Sequence, residues 1–203
     1  MAVGLRLGCT LCAAHRCCCG AVVDSRGIHG LSCRLAAGRL ARHSALNDII
    51  HRALVSAGVP SVLEPRGLTS SDERRPDGMT MIPWSEGRCL AWDATVSDSL
   101  ADSHLNRTVH VAGAAASELA ADAKIRKYAD LSRAFVFVPV AVETLGPICS
   151  AAVEFITELG RRIANVSGDP RDTAFLFQRI SIAVQRGNAA AVLVPMQLVS
   201  DTH

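Results

Sequence analysis

Lysine is nearly missing from this chain: of 21 basic residues, 19 are arginine and two, Lys124 and Lys127, are lysine, with the only tyrosine, Tyr128, directly following. Long apolar runs are missing too. The longest, around Ala134 to Val142 and Ala189 to Met196, fall far short of the roughly 20 residues a membrane helix needs. The opening MAVGLRLGCTLC has one Arg and no sustained apolar core, so it does not read as a secretory signal. These absences predict a soluble, intracellular protein without disulfides, and its abrupt start is the one expected of the tail of a longer reading frame. A strong charge of one sign is absent as well. The formal net charge of +2 does not announce a polyanion binder, but residues 1 to 80 hold ten Arg against six acids, so the basic end is the one expected to face a polyanion. No internal repeat, long low-complexity linker or polymerase motif is visible. At 203 residues and 21.5 kDa, the chain has room for one main domain with a small appended module.

What is present is concentrated. Six of the eight cysteines lie within the first 33 residues, and in an intracellular chain such crowding favours metal ligation over cross-linking. Residues 9 to 33 are poor in apolar side chains and are expected to need a metal to fold, with Gly20, Gly27 and Gly30 permitting the turns. The available donors are Cys9, Cys12, His15, Cys17, Cys18, Cys19, His29 and Cys33, of which four suffice for a closed zinc site.

From Leu35, apolar residues recur at three and four positions until Gly58 and Pro60, which predicts a long helix. Short strands are expected at Ser61 to Glu64, Met79 to Ile82 and Cys89 to Val96, with a polar loop over Thr69 to Arg74. The alanine-rich segment Ala114 to Leu131 reads as a helix, and Ala134 to Val142 as a strand buried on both faces. Two helices follow, about Ile148 to Val166 and Asp172 to Arg186, the second capped by Gly187 and Asn188. The order is helix, three strands, helix, strand, then two helices.

Two aspartates stand out. Asp77 in RPDG and Asp93 in CLAWDAT sit on adjacent predicted strands with fifteen residues between them. Hard carboxylate oxygens from neighbouring strands can converge on one Mg²⁺, which keeps waters for a phosphate substrate and suits phosphodiester cleavage. Asp93 lies inside an otherwise apolar strand, where a carboxylate needs a cation or hydrogen-bond donors. The bland alternative is a Pro-Asp turn and a strand-end residue. Glu64, at the end of its strand, is either an extra acidic ligand or an exposed terminus before Pro65. His43 and Asn47, one helical turn apart, could face the same groove, but they read as packing or surface residues and are left outside the site. Arg161, Arg162, Arg179 and Arg186 read as the polar faces of the last helices.

RPD followed by a strand-borne acid, within an αβββαβ order over about Leu35 to Val142, resembles the PD-(D/E)XK, or restriction-endonuclease-like, nuclease superfamily. CCCG, HGLSC, RPDG, WDAT, KIRKY and VPVAVETLG, in this order across most of the chain, resemble the endonuclease domain of site-specific non-LTR retrotransposon polyproteins. The resemblance implies an α/β fold with a zinc knuckle over 1–34, a nuclease core over 35–146 and a helical extension over 147–203. It also implies a Mg²⁺-dependent DNA endonuclease that nicks target DNA, a nuclear location, DNA and retroelement RNA as partners, and an upstream reverse transcriptase. Asp77 and Asp93 would hold Mg²⁺, with Glu64 as the further acid, and Cys17, Cys19, His29 and Cys33 would hold Zn²⁺, with Cys12 and His15 the rival half-site. The superfamily's strand lysine is absent, since Thr95 occupies that place. By resemblance the following helix supplies it as Lys124, beside Lys127 and Tyr128. The substitution keeps a rival reading open, a catalytically inactive relic or domesticated module that binds nucleic acid without cutting it.

Overall fold

The structure is a computed structural model that describes residues 1–68, 75–101 and 113–193. The loop expected over 69–74 and the end of the last apolar stretch, 194–196, lie outside the described residues. The chain is mixed α/β, with a four-stranded sheet, helices and a two-stranded N-terminal ribbon. The first segment holds α1 (Ala2–Arg6), β1 (His15–Arg16), β2 (Val22–Val23) and α2 (Ile28–Ser32). The long helix α3 (Ala37–Ser56) leads into β3 (Ser61–Leu63), β4 (Gly78–Thr80) and β5 (Leu90–Ser97). Then come α4 (Ala115–Lys127), a short 3₁₀ turn at Leu131–Arg133, β6 (Val136–Glu143), α5 (Ser150–Ser167) and α6 (Asp172–Leu193).

Helix α3 stops where the sequence signals it. Gly58 takes a positive φ of 72°, and the Gly58 and Val59 amides donate back to the Val55 and Leu54 carbonyls, which satisfies the last turn before Pro60. Strand β4 is displaced from its expected span of Met79 to Ile82. The Thr80 hydroxyl donates to the Ile82 carbonyl and accepts the Leu90 amide, so a side chain replaces the ladder and the backbone turns away after Thr80.

The sheet order is β3-β4-β5-β6, antiparallel except for the parallel β5/β6 pair, in which Asp93 faces Pro139. Among the described residues, strand β6 pairs with β5 as its one strand partner, and Pro139, which has no amide to donate, is tolerated on such an edge. Side chains alternate along β5: Trp92 reaches Asn47 on α3, and Asp93 reaches Lys124 on α4, so the two helices cover opposite faces.

One core joins the sheet to α3, α5 and α6, with Leu46, Ile50, Leu54, Trp92, Val140, Ile156, Leu159 and Ile180 all buried. The C-terminal helices thus belong to the main core. A smaller cluster gathers Leu5, Val23 and Leu31 of the N-terminal segment against Ala191 and Val192 of α6, so this segment obtains apolar cover from the last helix. Gly20 and Gly27 do take positive φ, 88° and 69°, as turn residues. Gly30 does not: it lies within α2, where a Cβ would stand 2.6 Å from the Ala191 carbonyl oxygen, so its role is close approach.

The expected end of the last helix is also corrected. Helix α6 runs through Gly187 and Asn188 to Leu193. A Cβ at Gly187 would overlap the aliphatic stem of Arg42 on α3, and the buried Asn188 accepts from Arg42 Nη1 (2.7 Å) and donates to the Thr144 carbonyl (2.7 Å). Both residues serve helix packing and not a cap.

Candidate functional site

Among the described residues, two groups of candidate functional side chains come together. In the N-terminal segment, the ligand atoms of Cys17, Cys19, His29 and Cys33 all lie within 4.8 Å of one another, close enough to converge on one metal ion. Cys17 Sγ is 3.5 Å from Cys33 Sγ, and Cys19 Sγ is 3.1 Å from His29 Nε2. This set can hold a metal such as zinc. The rival half-site does not join it, since Cys12 Sγ donates to the Asp24 carbonyl (3.4 Å) and His15 Nδ1 lies 2.9 Å from the Ala13 carbonyl. Cys9 and Cys18 are exposed. The Cys19 thiol is lowered to about 7, first by the Ala21 amide and then by Cys17, His29 and Cys33, while burial pushes Cys17 and Cys33 up. A bound cation would favour the thiolate at all three.

The second group surrounds the aspartates. The β4/β5 register pairs Gly78 with Trp92 and Met79 with Ala91, and one further step sets Asp77 opposite Asp93, with the Asp77 amide donating to the Trp92 carbonyl (3.0 Å). Gly78 is required here because a Cβ would run into the Trp92 ring. RPDG and WDAT are therefore two halves of one packing unit. Beyond the end of β4, the Asp77 side chain takes over the ladder: the Ala94 amide donates to Oδ2 at 2.6 Å, and His43 Nε2 donates to the same oxygen at 3.0 Å. Burial raises the Asp77 pKa, but the His43 hydrogen bond and charge and the Ala94 amide outweigh it and hold the carboxyl below its usual range. His43 is raised, chiefly by its hydrogen bond to Asp77, against burial.

Asp93 is 3% exposed. Helix α4 brings it Lys124, which ion-pairs with Oδ1, and one turn later Tyr128, whose hydroxyl lies 2.6 Å from Oδ2 and 2.7 Å from the Arg75 carbonyl and accepts from Lys127 Nζ (2.9 Å). Burial first, and then the Asp93 carboxylate, push the Tyr128 hydroxyl far up, so it stays protonated as a donor. Glu64 lies one strand away: its amide donates to the Asp77 carbonyl (2.8 Å), and its carboxylate pairs with Arg75 at 2.9 Å on the surface.

No protein-family model matches this chain, and no curated protein matches it. What the chain does has to be read from its own residues.

The structure thus brings Asp77, Asp93 and Lys124 together, and it adds His43, Asn47 and Tyr128. His43 and Asn47 were legible only as a pair one turn apart; their partners, Asp77 and the Trp92 indole (3.0 Å from Asn47 Oδ1), are distant in sequence. Each carboxylate already has its own nitrogen partner, His43 on Asp77 and Lys124 on Asp93, where sequence alone had the two acids sharing one ion. The arrangement can hold a proton or a cation between the strands, with the His43 and Lys124 side chains 42% and 25% exposed at its mouth. A groove of about 630 Å³ between α3 and α6 is lined by residues such as Ala45, Arg52, Arg179 and Ile182 and by none of these groups. Of the arginines on the last helices, Arg161 and Arg162 pair with Glu158, and Arg162 also stacks 3.6 Å from the Trp84 ring centroid.

Proposed function

We propose that this chain is a Mg²⁺-dependent DNA endonuclease of the restriction-endonuclease-like kind, descended from a non-LTR retroelement and carrying a zinc knuckle beside its nuclease core. The observation that carries the reading is the meeting of Lys124 and Tyr128 on Asp93, beside Asp77, at the one place where the sequence pattern lacks its strand lysine. A lysine from the next helix thereby stands against the strand acid. The element order α3, β3, β4, β5, α4, β6 agrees with the αβββαβ core of that superfamily.

The donor set fits the metal. Asp77 and Asp93 offer hard oxygens from neighbouring strands, the chemistry Mg²⁺ prefers, and the buried Asp93 carboxylate calls for a positive partner. Glu64 would have to leave Arg75 to serve as a further ligand. When bound, the ion would supply a lowered pKa for water and neutralisation of phosphate charge. The chain's own residues do the rest. Tyr128 fixes the orientation of Asp93, and His43 with the Ala94 amide fixes Asp77. Lys124, held at the mouth, offers its ammonium to the developing negative charge on the phosphate and orients the attacking water. Exposed arginines before residue 81, Arg16, Arg34 and Arg39 among them, supply charge for the duplex, and the knuckle a surface for DNA or for structured retroelement RNA. Nuclear work beside a reverse transcriptase belongs to the same proposal.

One observation favours the rival, a module that binds without cutting: Lys124 already pairs with Asp93 and His43 already donates to Asp77 with no ion added. Metal dependence separates the two. Purified protein incubated with supercoiled plasmid should convert it to the nicked form with Mg²⁺ and leave it intact with EDTA. Duplex binding without nicking at any Mg²⁺ concentration would decide for the rival.

A further inference from the structure

Helix α4 has a poor start of its own. Its N-cap, Ala114, has no side chain with which to satisfy the first amides and sits at a positive φ of 54°, a conformation that a non-glycine residue keeps only when its surroundings impose it. The missing cap comes from another element. Glu143, the last residue of β6 and 3% exposed, accepts from the Ala116 amide (3.0 Å) and the Ser117 amide (3.1 Å) through Oε1, with the Ser117 hydroxyl at 3.4 Å from the same oxygen. Its other oxygen accepts from the Ser99 hydroxyl (2.7 Å) just beyond β5. A buried carboxylate at a helix N-terminus has both hydrogen bonds and the helix dipole in its favour.

The other end of this helix carries Lys124 and Tyr128 to Asp93. The seven residue steps from Ser117 to Lys124 span roughly 10 Å of helix, so a shift at the start is delivered to Lys124 by a stiff rod. We propose that Glu143 is the positioning residue of the site: clamped by Ser99, it fixes the start of α4 and thereby the seat of Lys124 and Tyr128 on Asp93. It touches neither Asp93 nor the mouth of the site. Its catalytic consequence rests on the nuclease reading; its hold on Lys124 does not.

The scarcity of lysine supplies the test. Acetic anhydride can modify two lysine side chains, and mass spectrometry reads the ratio of acetylation at Lys124, which is paired with Asp93, in the folded full-length chain to that in the same chain unfolded in urea. Glu143→Ala should raise this ratio about 10-fold, as expected for release of a charge-assisted contact. Glu143→Gln, which keeps an oxygen towards the two amides, should hold it near wild type. In the nicking assay, Glu143→Ala should lower kcat on the order of 100-fold with KM for duplex unchanged, and Glu143→Gln should recover most of the loss. Should Glu143→Ala fail to fold, Ser99→Ala, which frees only one carboxylate oxygen, should still raise the ratio by a smaller factor. An unchanged ratio in a folded Glu143→Ala, or in Ser99→Ala where that is the variant available, would overturn the proposal. Absence of nicking by the wild type, with the ratio rising as expected, would sink the nuclease reading and leave the positioning role standing.

Discussion

Gly78 and Trp92 show how single residues build this site. Trp92 is fully buried, its indole N–H donates to Asn47, and its ring occupies the space a side chain at 78 would need. Gly78→Ala should therefore destabilise the fold by about 2 kcal/mol, the range for overpacking a site that cannot yield. Urea denaturation would read this as a lower midpoint at unchanged slope. In the proposed nuclease, Lys124 is the residue on which the chemistry turns. Lys124→Ala should slow nicking on the order of 100-fold. Lys124→Arg should recover little, because the larger planar head places its donors differently. Rate measurements at saturating Mg²⁺ would check both, and normal cutting by Lys124→Ala would return Lys124 to the surface. These residues were legible to different degrees. Asp77 and Asp93 stand out as acids beside apolar strands, and the rarity of lysine marks Lys124. His43 looked like any helix histidine, since nothing local records that Asp77 lies 3.0 Å away.

Elements were legible wherever periodicity and breakers agreed. Helix α3, with Gly58 and Pro60 behind it, and the run of elements from β5 through α4 to β6 lie within a few residues of their expected spans. The errors came where one residue type has two uses. Gly187 and Asn188 resemble a helix stop, but glycine also lets two helices touch, and asparagine also satisfies a buried arginine; only the position of Arg42 on α3 decides between these. Gly187→Ala tests the packing use. At an exposed position inside a helix, alanine stabilises by up to about 1 kcal/mol. Against an Arg42 that is 2% exposed and held by Asn188 and the Leu31 carbonyl, it should instead lower stability by about 1–2 kcal/mol. Thermal unfolding of the single variant gives the sign directly.

At the scale of the whole molecule, the Cys/His segment is tied to the rest of the chain through α6. Its Val23 and Leu31 pack with Ala191 and Val192, and Arg42 binds the Leu31 carbonyl (2.8 Å). Metal removal should accordingly be felt beyond the four ligands. A strong chelator should free the Cys17, Cys19 and Cys33 thiols and lower the unfolding temperature of the whole chain by several degrees, as the loss of a bound metal and its docked segment implies. Thiol titration alongside calorimetry would read both effects, and an unchanged unfolding temperature with fully reactive thiols would reject a structural metal.

The account stands most heavily on Asp93 as a metal-holding acid of a DNA-cutting site, and the direct measurement is the Mg²⁺-dependent nicking rate of Asp93→Asn against wild type, with duplex affinity determined on the same preparations. The substitution removes one negative charge without adding bulk. Nicking should fall to background while duplex binding stays equal or tightens, since a carboxylate facing phosphate repels it when no ion is bound. Wild-type nicking that persists in Asp93→Asn would contradict the account.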